Sequence, residues 1–375
     1  MPERRPTAGR VCAVICNVEL EAVATSPHGR LEEAVLVNPL DHPGWDAQLA
    51  AHTGAWFFHG TAWARVLLET YRHVPVFAAR FKDGQLRSVL PLMEVSSPWT
   101  GRRGVSLPFT DFCFPLRTED QDEGDLYKMA MEQGRARRWR YLECRSSDED
   151  WPGSSPSLVF YGHQLELDTG EENLFKKLDG SVRRGIKKAR AAGLDIQFDS
   201  SQESVETYYA LHCRTRRRHG LPPQPFAFFA NILKYMLQPG LGFIATARWE
   251  KKAVAGAVFL HQGRQALYKF GASDYRFQHL RPNSLLMWEG IRHCAERGCA
   301  RLHFGRTSVG NEGLRRFKLG FGAREDEIRY CKYDFRAGRF VREVDRAQGW
   351  HNRVFGLLPP PFLRLAGQLL YHHLS

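Results

Sequence analysis

Apolar and polar positions along this chain follow two periods, and together they predict an α/β (α+β) protein built twice from one unit. Residues 56–71 (WFFHGTAWARVLLETY) set Trp63, Val66, Leu67 and Tyr71 at helical spacing. Residues 75–95 then hold two apolar runs around Lys82-Asp83-Gly84, which predicts a β-hairpin. The hairpin returns in the second half. Residues 243–261 (FIATARWEKKAVAGAVFLH) lie over residues 76–94 without a gap, with Arg80 on Arg248, Phe81 on Trp249, Leu86 on Val254, Val89 on Ala257 and Leu90 on Val258. A helical, aromatic-rich segment precedes each copy, residues 56–71 and 226–236.

Beyond the second hairpin the pattern predicts a strand at 266–271 and a helix at 283–297. Asn283 caps that helix, Leu286, Ile291, Cys294 and Ala295 fill one side, and Gly298 ends it. Strands follow at 300–304 and 328–335. Three strands, a helix and a strand in this order predict a mixed sheet with a crossover helix. A cluster of Trp, Pro, Gly and Ser at 151–162 marks the boundary between the two units. The resulting division is an extension at 1–33, a first unit at 34–160, a second at 161–345, and an apolar tail at 346–375. Packing of that tail on the body is favoured over an amphipathic contact with a membrane.

Composition adds little to the fold and narrows the function. The 375 residues are 43% hydrophobic and 25% charged, with a net charge of +12, which favours anionic partners such as tRNA, phosphate-linked substrates or a membrane surface. The eight cysteines form no CxxC pair, and no apolar run reaches the roughly 20 residues of a membrane-spanning helix. A reduced, cytoplasmic protein is expected, with the inner membrane face left open as a peripheral location. No HExxH, Cys/His zinc spacing, GxSxG or Walker loop occurs, so metal, serine-hydrolase and P-loop chemistry are not expected.

Candidate chemistry gathers in residues 304–322 (FGRTSVGNEGLRRFKLGFG). Gly305, Arg306, Asn311, Phe317 and Lys318 lie here, with cations beside glycine backbone of the kind that holds an anion or a developing oxyanion. A helix from Ser181 to Gly193 carries Arg183, Arg184, Lys187 and Lys188 on one face, a candidate phosphate contact. A second helix, 204–219, gathers Arg214, Arg217 and Arg218 at its C-terminal end, where the helix dipole alone favours cations. Asp111 sits among aromatics and prolines (SLPFTDFCFP), where desolvation is expected to raise its pKa toward the range of a general base.

Several segments taken together, RRGIKKARAAGLDI, YKFGASD, LRPNSLLMWEGIRHCAERGCARLHFGR and NEGLRRFKLGFG, resemble the FemAB-type branch of the GNAT acyltransferase superfamily. That branch includes aminoacyl-tRNA-dependent transferases of peptidoglycan bridges and relatives encoded with exopolysaccharide export systems. The resemblance spans roughly 34–345 and implies two tandem GNAT-like domains, each a mixed sheet flanked by helices. It also implies acyl or aminoacyl transfer to an amine of a cell-envelope, peptidoglycan or exopolysaccharide precursor. Phe317-Lys318 matches the family's Phe-Lys pair, whose lysine stabilises charge on the reacting carbonyl. Asp111 matches a first-domain aspartate near the substrate, Tyr268 a strand tyrosine lining the site, and Arg214 to Arg218 cations that contact acceptor phosphates. No metal is implied, no DNA is expected, and the donor is acyl-CoA or aminoacyl-tRNA. Two departures stand out. Residues 183–225 leave no room for the helical-hairpin arm of the bridge-forming members. The turn Gln278-His279-Leu280-Arg281-Pro282-Asn283 lacks the glycines of a coenzyme A cradle, and Pro282 supplies no amide donor. The alternative reading is a non-catalytic GNAT-like module that grips RNA or an anionic polymer, and a third is a component of an export assembly docked to membrane by the tail.

Overall fold

The computed structural model describes residues 32–117, 124–146, 151, 153–345 and 350–374. Nearly all of the expected N-terminal extension therefore lies outside the described residues. The strands are β1 (Glu32–Val37), β2 (Val74–Pro75), β3 (Phe77–Lys82), β4 (Gln85–Leu90), β5 (Met93–Ser97), β6 (Gly101–Val105), β7 (Tyr141–Cys144) and β8 (Pro156–Glu166). They continue with β9 (Asp195–Asp199), β10 (Gly242–Trp249), β11 (Lys252–Gln262), β12 (Gln265–Ser273), β13 (Arg301–His303), β14 (Thr307–Ser308), β15 (Arg324–Asp334) and β16 (Arg339–Phe340). A small sheet runs β1-β3-β4, and a large one runs β2-β5-β6-β7-β15-β8-β13-β12-β11-β10-β9.

The duplication is visible strand by strand. The β1-β3-β4 order repeats as β9-β10-β11, and each half makes one short parallel step, β6 with β7 and β12 with β13. Both hairpins close on two-residue turns with left-handed backbone, Asp83-Gly84 and Glu250-Lys251, the twist that suits a tight antiparallel return. Each has its bulge one pair further in, between Arg80 and Phe81 and between Ala247 and Arg248. Turn and bulge superpose only when Arg80 lies on Ala247 and Phe81 on Arg248. The gapless overlay expected from sequence is thus slipped by one residue, which in a strand exchanges the two faces.

The two halves also exchange strands. β8 follows β7 in the chain yet pairs with β13, while β15 follows β13 yet pairs with β7, and β8 and β15 pair with each other from Arg324↔Gln164 onward. Each half is completed by a strand from the other. The expected boundary at 160/161 falls inside β8.

Local sequence explains the helix limits. The helix expected over 56–71 is interrupted at extended Gly60, so a 3-10 turn (Phe57–His59) precedes the helix Thr61–Tyr71. Its Trp63, Val66, Leu67 and Tyr71 are buried, as their spacing requires. The crossover helix is Pro282–Glu296, one residue earlier than expected, with Arg281 in left-handed backbone as its N-cap in place of Asn283. The helix expected to start at Ser181 is Gly180–Ala191 and takes Asp179 as N-cap.

The tail forms the helices Trp350–Leu357 and Pro360–Leu370 and then a 3-10 turn, Tyr371–His373. It packs on the body, as expected. The Tyr371 hydroxyl accepts from Arg216 at 2.7 Å and donates to the Pro222 carbonyl at 3.2 Å, while Arg103 donates to the His373 carbonyl at 2.7 Å. Gly367 is required at the crossing, because a Cβ there would stand 2.0 Å from the Pro223 carbonyl oxygen. Gly367→Leu is expected to lift this helix off, costing about 1–3 kcal/mol and opening the tail to limited proteolysis. A variant as protease-resistant as the wild type would contradict this docking. No described helix is long and apolar enough to cross a membrane.

Candidate active site between the two halves

β12 and β13 pair only over Gln265–Leu267 and Arg301–His303. Past these three rungs β12 continues through Tyr268 and Lys269, while the partner strand β13 ends and its backbone turns away at Phe304 and Gly305. A loop from the first half enters here. Lys269 Nζ meets Asp111 Oδ2 at 2.7 Å, and Gly305 lies so near Asp111 that a Cβ would stand 3.4 Å from its Cγ. Gly305 also has φ +71°, so glycine is needed there for conformation and clearance together.

The loop that delivers Asp111 is strained and strongly held. Leu107 and Phe109 have φ of 55° and 61°, and each such residue costs about 1–3 kcal/mol. Arg145 Nη1 donates to the carbonyls of Leu107 (3.3 Å) and Thr110 (3.2 Å), and the buried Glu143 fixes its guanidinium at 2.9 Å. From the second half, the Tyr330 hydroxyl donates to the Asp111 carbonyl at 2.8 Å. Bulky residues held in left-handed backbone by buried ion pairs are a mark of a built site.

Lys318, in the helix Glu312–Leu319, is 2% exposed, and its Nζ donates to the carbonyls of Gly305 (2.8 Å) and Arg306 (3.0 Å). Burial pulls its pKa down to about 7, against the pull of nearby Asp111. His303 is buried one residue before the Phe304 turn and accepts from the Gly305 amide at 2.9 Å through Nδ1. Burial, then Lys318, lowers it to about 3, so it is neutral with its proton on Nε2.

For Asp111 the expectation of a raised pKa is reversed. Burial does push the carboxyl up, but Lys269, then Arg306 and Lys318, outweigh it and hold it below the usual carboxylate range. It is a charged partner and a weak base. The Gly305 amide, expected to face an oxyanion, is taken by His303.

Asp111, Gly305, Arg306 and Lys318 thus come together. Arg306 lays its guanidinium over Phe160 (4.3 Å) and donates to the Tyr330 hydroxyl at 2.9 Å. Tyr268 is half-buried beside Lys269, with its hydroxyl raised to about 12 by burial. Asn311 instead caps its helix by accepting from the Leu314 amide at 3.1 Å, and Phe317 packs against Phe321 in the second core. Arg183 and Arg184 stand exposed on the helix Gly180–Ala191, whose Val182, Ile186 and Ala189 are buried. Arg214 pairs with Asp274 at 3.2 Å and lines a cleft of about 520 Å³ with Arg248, Lys252 and Arg276. Arg218 lies over the Tyr275 ring, and Arg217 is exposed. That cleft stands at the far end of β12, about 16 Å from Lys269 at the usual strand rise. Sequence reasoning missed Lys269, His303 and Arg145. A lone lysine between Tyr268 and Phe270 in an apolar strand was the available signal for the first.

Residues 176–319 match the acetyltransferase (GNAT) domain family. No curated protein matches the chain in sequence. Among solved structures, FemX is similar with a TM-score of 0.65 at 14% identity, over 81% of this chain and 98% of that one. A tandem GNAT protein from the clavulanic acid biosynthesis pathway is similar with a TM-score of 0.53 at 13% identity, over 81% and 98%. The C-terminal domain of a putative lysylphosphatidylglycerol synthetase from Agrobacterium fabrum gives 0.51 at 15%, over 72% and 86%. At such identities the likeness is one of fold. It covers both halves, so the matched region at 176–319 lies in the second of two tandem GNAT-like units. Lys318 lies within the matched region and Asp111 outside it, so a loop of the first half packs against the matched region at Gly305.

Proposed function

We propose that the protein is an N-acyltransferase that moves an acyl or aminoacyl group from an activated donor to an amine of a cell-envelope precursor. The observation carrying this reading is Lys318, a buried amine near pKa 7 close to Asp111 and Arg306, where β12 and β13 part. Two of its N–H groups are spent on the carbonyls of Gly305 and Arg306. In the protonated form the third is free for a developing oxyanion. The acceptor nitrogen attacks the donor carbonyl carbon, a C–N bond forms, and the carbonyl electron pair moves to the oxygen that Lys318 receives. Collapse breaks the bond to the leaving thiolate or alkoxide, which takes up a proton, while the amine proton departs to water. Asp111 fixes Lys269 and orders the cleft.

The donor is acyl-CoA or aminoacyl-tRNA. The start of the helix Pro282–Glu296 favours neither a simple coenzyme A cradle nor tight pyrophosphate binding, because proline at its first position removes an amide. The name of the Agrobacterium fabrum protein, a putative lysylphosphatidylglycerol synthetase, supports an aminoacyl donor and an envelope acceptor. Anionic donor and acceptor groups are drawn by the cations Arg183, Arg184, Arg214, Arg217 and Arg218 and by the overall charge of +12. Mass spectrometry of envelope peptides, lipids and glycans from a deletion strain is the test. The expected result is the loss of one N-acyl or N-aminoacyl mass increment, restored by the wild-type chain and not by a Lys318→Met variant. Identical profiles with and without the gene would overturn the proposal.

A further inference from the structure

The tail helix Pro360–Leu370 is amphipathic in reverse. Leu363, Gly367 and Tyr371 just beyond it are buried against the body, and the outward face still carries Phe362 (61% exposed), Leu365 (50%) and Leu369 (58%). Positions i, i+3 and i+7 share one helix face, and a face turned to water is ordinarily polar. Leu357 before the helix and Leu374 after it are exposed as well. Only Arg364 adds charge to this helix, and residues 346–375 contain three arginines and no Asp or Glu.

His373 ties the end of this helix to a second feature. Its ring packs on Trp99 at 4.1 Å and its Nδ1 meets Ser97 Oγ at 2.9 Å. Trp99 is 70% exposed and lines a cleft of about 400 Å³ with Arg102, Arg138, Arg140 and Arg336, and among the described residues that line it none is acidic. An apolar stripe, an exposed tryptophan and an acid-free arginine cleft therefore adjoin one another. Apolar side chains that enter the acyl boundary, an indole at headgroup depth and cations for lipid phosphates are the three elements of interfacial binding.

We propose that this face docks on an anionic lipid bilayer: Phe362, Leu365 and Leu369 enter the acyl boundary, Trp99 lies at the headgroups, and Arg102, Arg138, Arg140 and Arg336 hold lipid phosphates. Neither the tail helix nor the described residues lining the arginine cleft include an acidic side chain, which suits a lipid over a protein partner, whose interface would carry matching charges of both signs. The inference stands apart from the acyl-transfer reading, since none of these residues touches the Lys318 cluster.

Flotation of the full chain with vesicles of phosphatidylcholine alone, or with phosphatidylglycerol added, is the test. Binding to the phosphatidylglycerol vesicles is expected, weakening as salt rises. The triple variant Phe362→Ser, Leu365→Ser, Leu369→Ser should lose more than about tenfold in partitioning with an unchanged melting temperature, because these side chains support nothing beneath them. Arg102→Glu with Arg138→Glu should remove the preference for anionic vesicles. Wild-type protein that stays unbound with both vesicles overturns the proposal, as does a triple variant that binds like the wild type. A wild-type dimer that the triple variant dissociates, without vesicle binding, would give the face to a second copy and also overturn it.

Discussion

Lys318→Met should lower turnover by about 10²–10³-fold, the usual loss for a single oxyanion donor, with the substrate KM little changed. Methionine keeps the length and volume of the side chain, so the helix Glu312–Leu319 retains its packing. It leaves the Gly305 and Arg306 carbonyls without their partner, at roughly 1–3 kcal/mol for each one buried, but also removes an ammonium that burial disfavours. These effects oppose each other at neutral pH, and thermal unfolding should show little change there. The pH dependence is more diagnostic. A protonated donor near pKa 7 makes wild-type turnover fall as pH rises above about 7, and the residual activity of the variant should lack that alkaline limb.

Stability should move the other way. The amine is depressed to about 7 in the folded chain and lies near 10.4 unfolded. Between those values the unfolded chain binds the extra proton, so stability rises with pH. The cost of burying the charge is fully present below about pH 7 and disappears toward pH 10. Wild type should therefore gain on Lys318→Met by up to about 1.4 kcal/mol per pH unit within that window. Unchanged turnover in the variant, or an alkaline limb that persists without Lys318, would remove the residue from the mechanism.

What the sequence revealed and what it hid divide along physical lines. Hairpins, helices and their buried faces are local, and periods of 2 and 3.6 residues expose them. The register of the two hairpins differs by one residue from their sequence overlay, because composition aligns Arg80 with Arg248 whereas turn and bulge, which set the pairing, do not. The exchange of β8 and β15 leaves no local trace, since either strand fits an antiparallel partner from either half. The same limit governs the site. Lys318 could be singled out from its own segment and the family it resembles, but its carbonyl partners required the fold. The aromatic, proline-rich surroundings of Asp111 pointed to a raised pKa, and the cation that reverses it lies 158 residues away. Asn311 stands among cations in the sequence, yet its side chain serves the backbone of its own helix, as a short amide before a first turn commonly does.

Asp111→Ala and Lys269→Met should each destabilise the protein by about 3–5 kcal/mol, and the double variant should recover much of that loss. The pair joins the strained loop of the first half to β12 of the second, with Lys269 only 3% exposed and Asp111 19%. Removing Asp111 leaves Lys269 buried beside the cation Arg306 without its anion, and removing Lys269 takes from the buried Asp111 its nearest counter-charge. Removing both leaves neither member of the pair facing an empty partner position, so the loss should not be additive. Chemical unfolding of the four proteins gives the coupling energy directly. Because Tyr330 and Arg145 hold the loop by its backbone, the double variant should remain folded, with its loop less firmly set over Gly305. Its turnover should then stay low although its stability returns, which separates the positioning role of the pair from its structural one. Simple additivity of the two losses would show that the pair is not a coupled clamp. Full activity in the double variant would show that Lys318 needs no help from the first half.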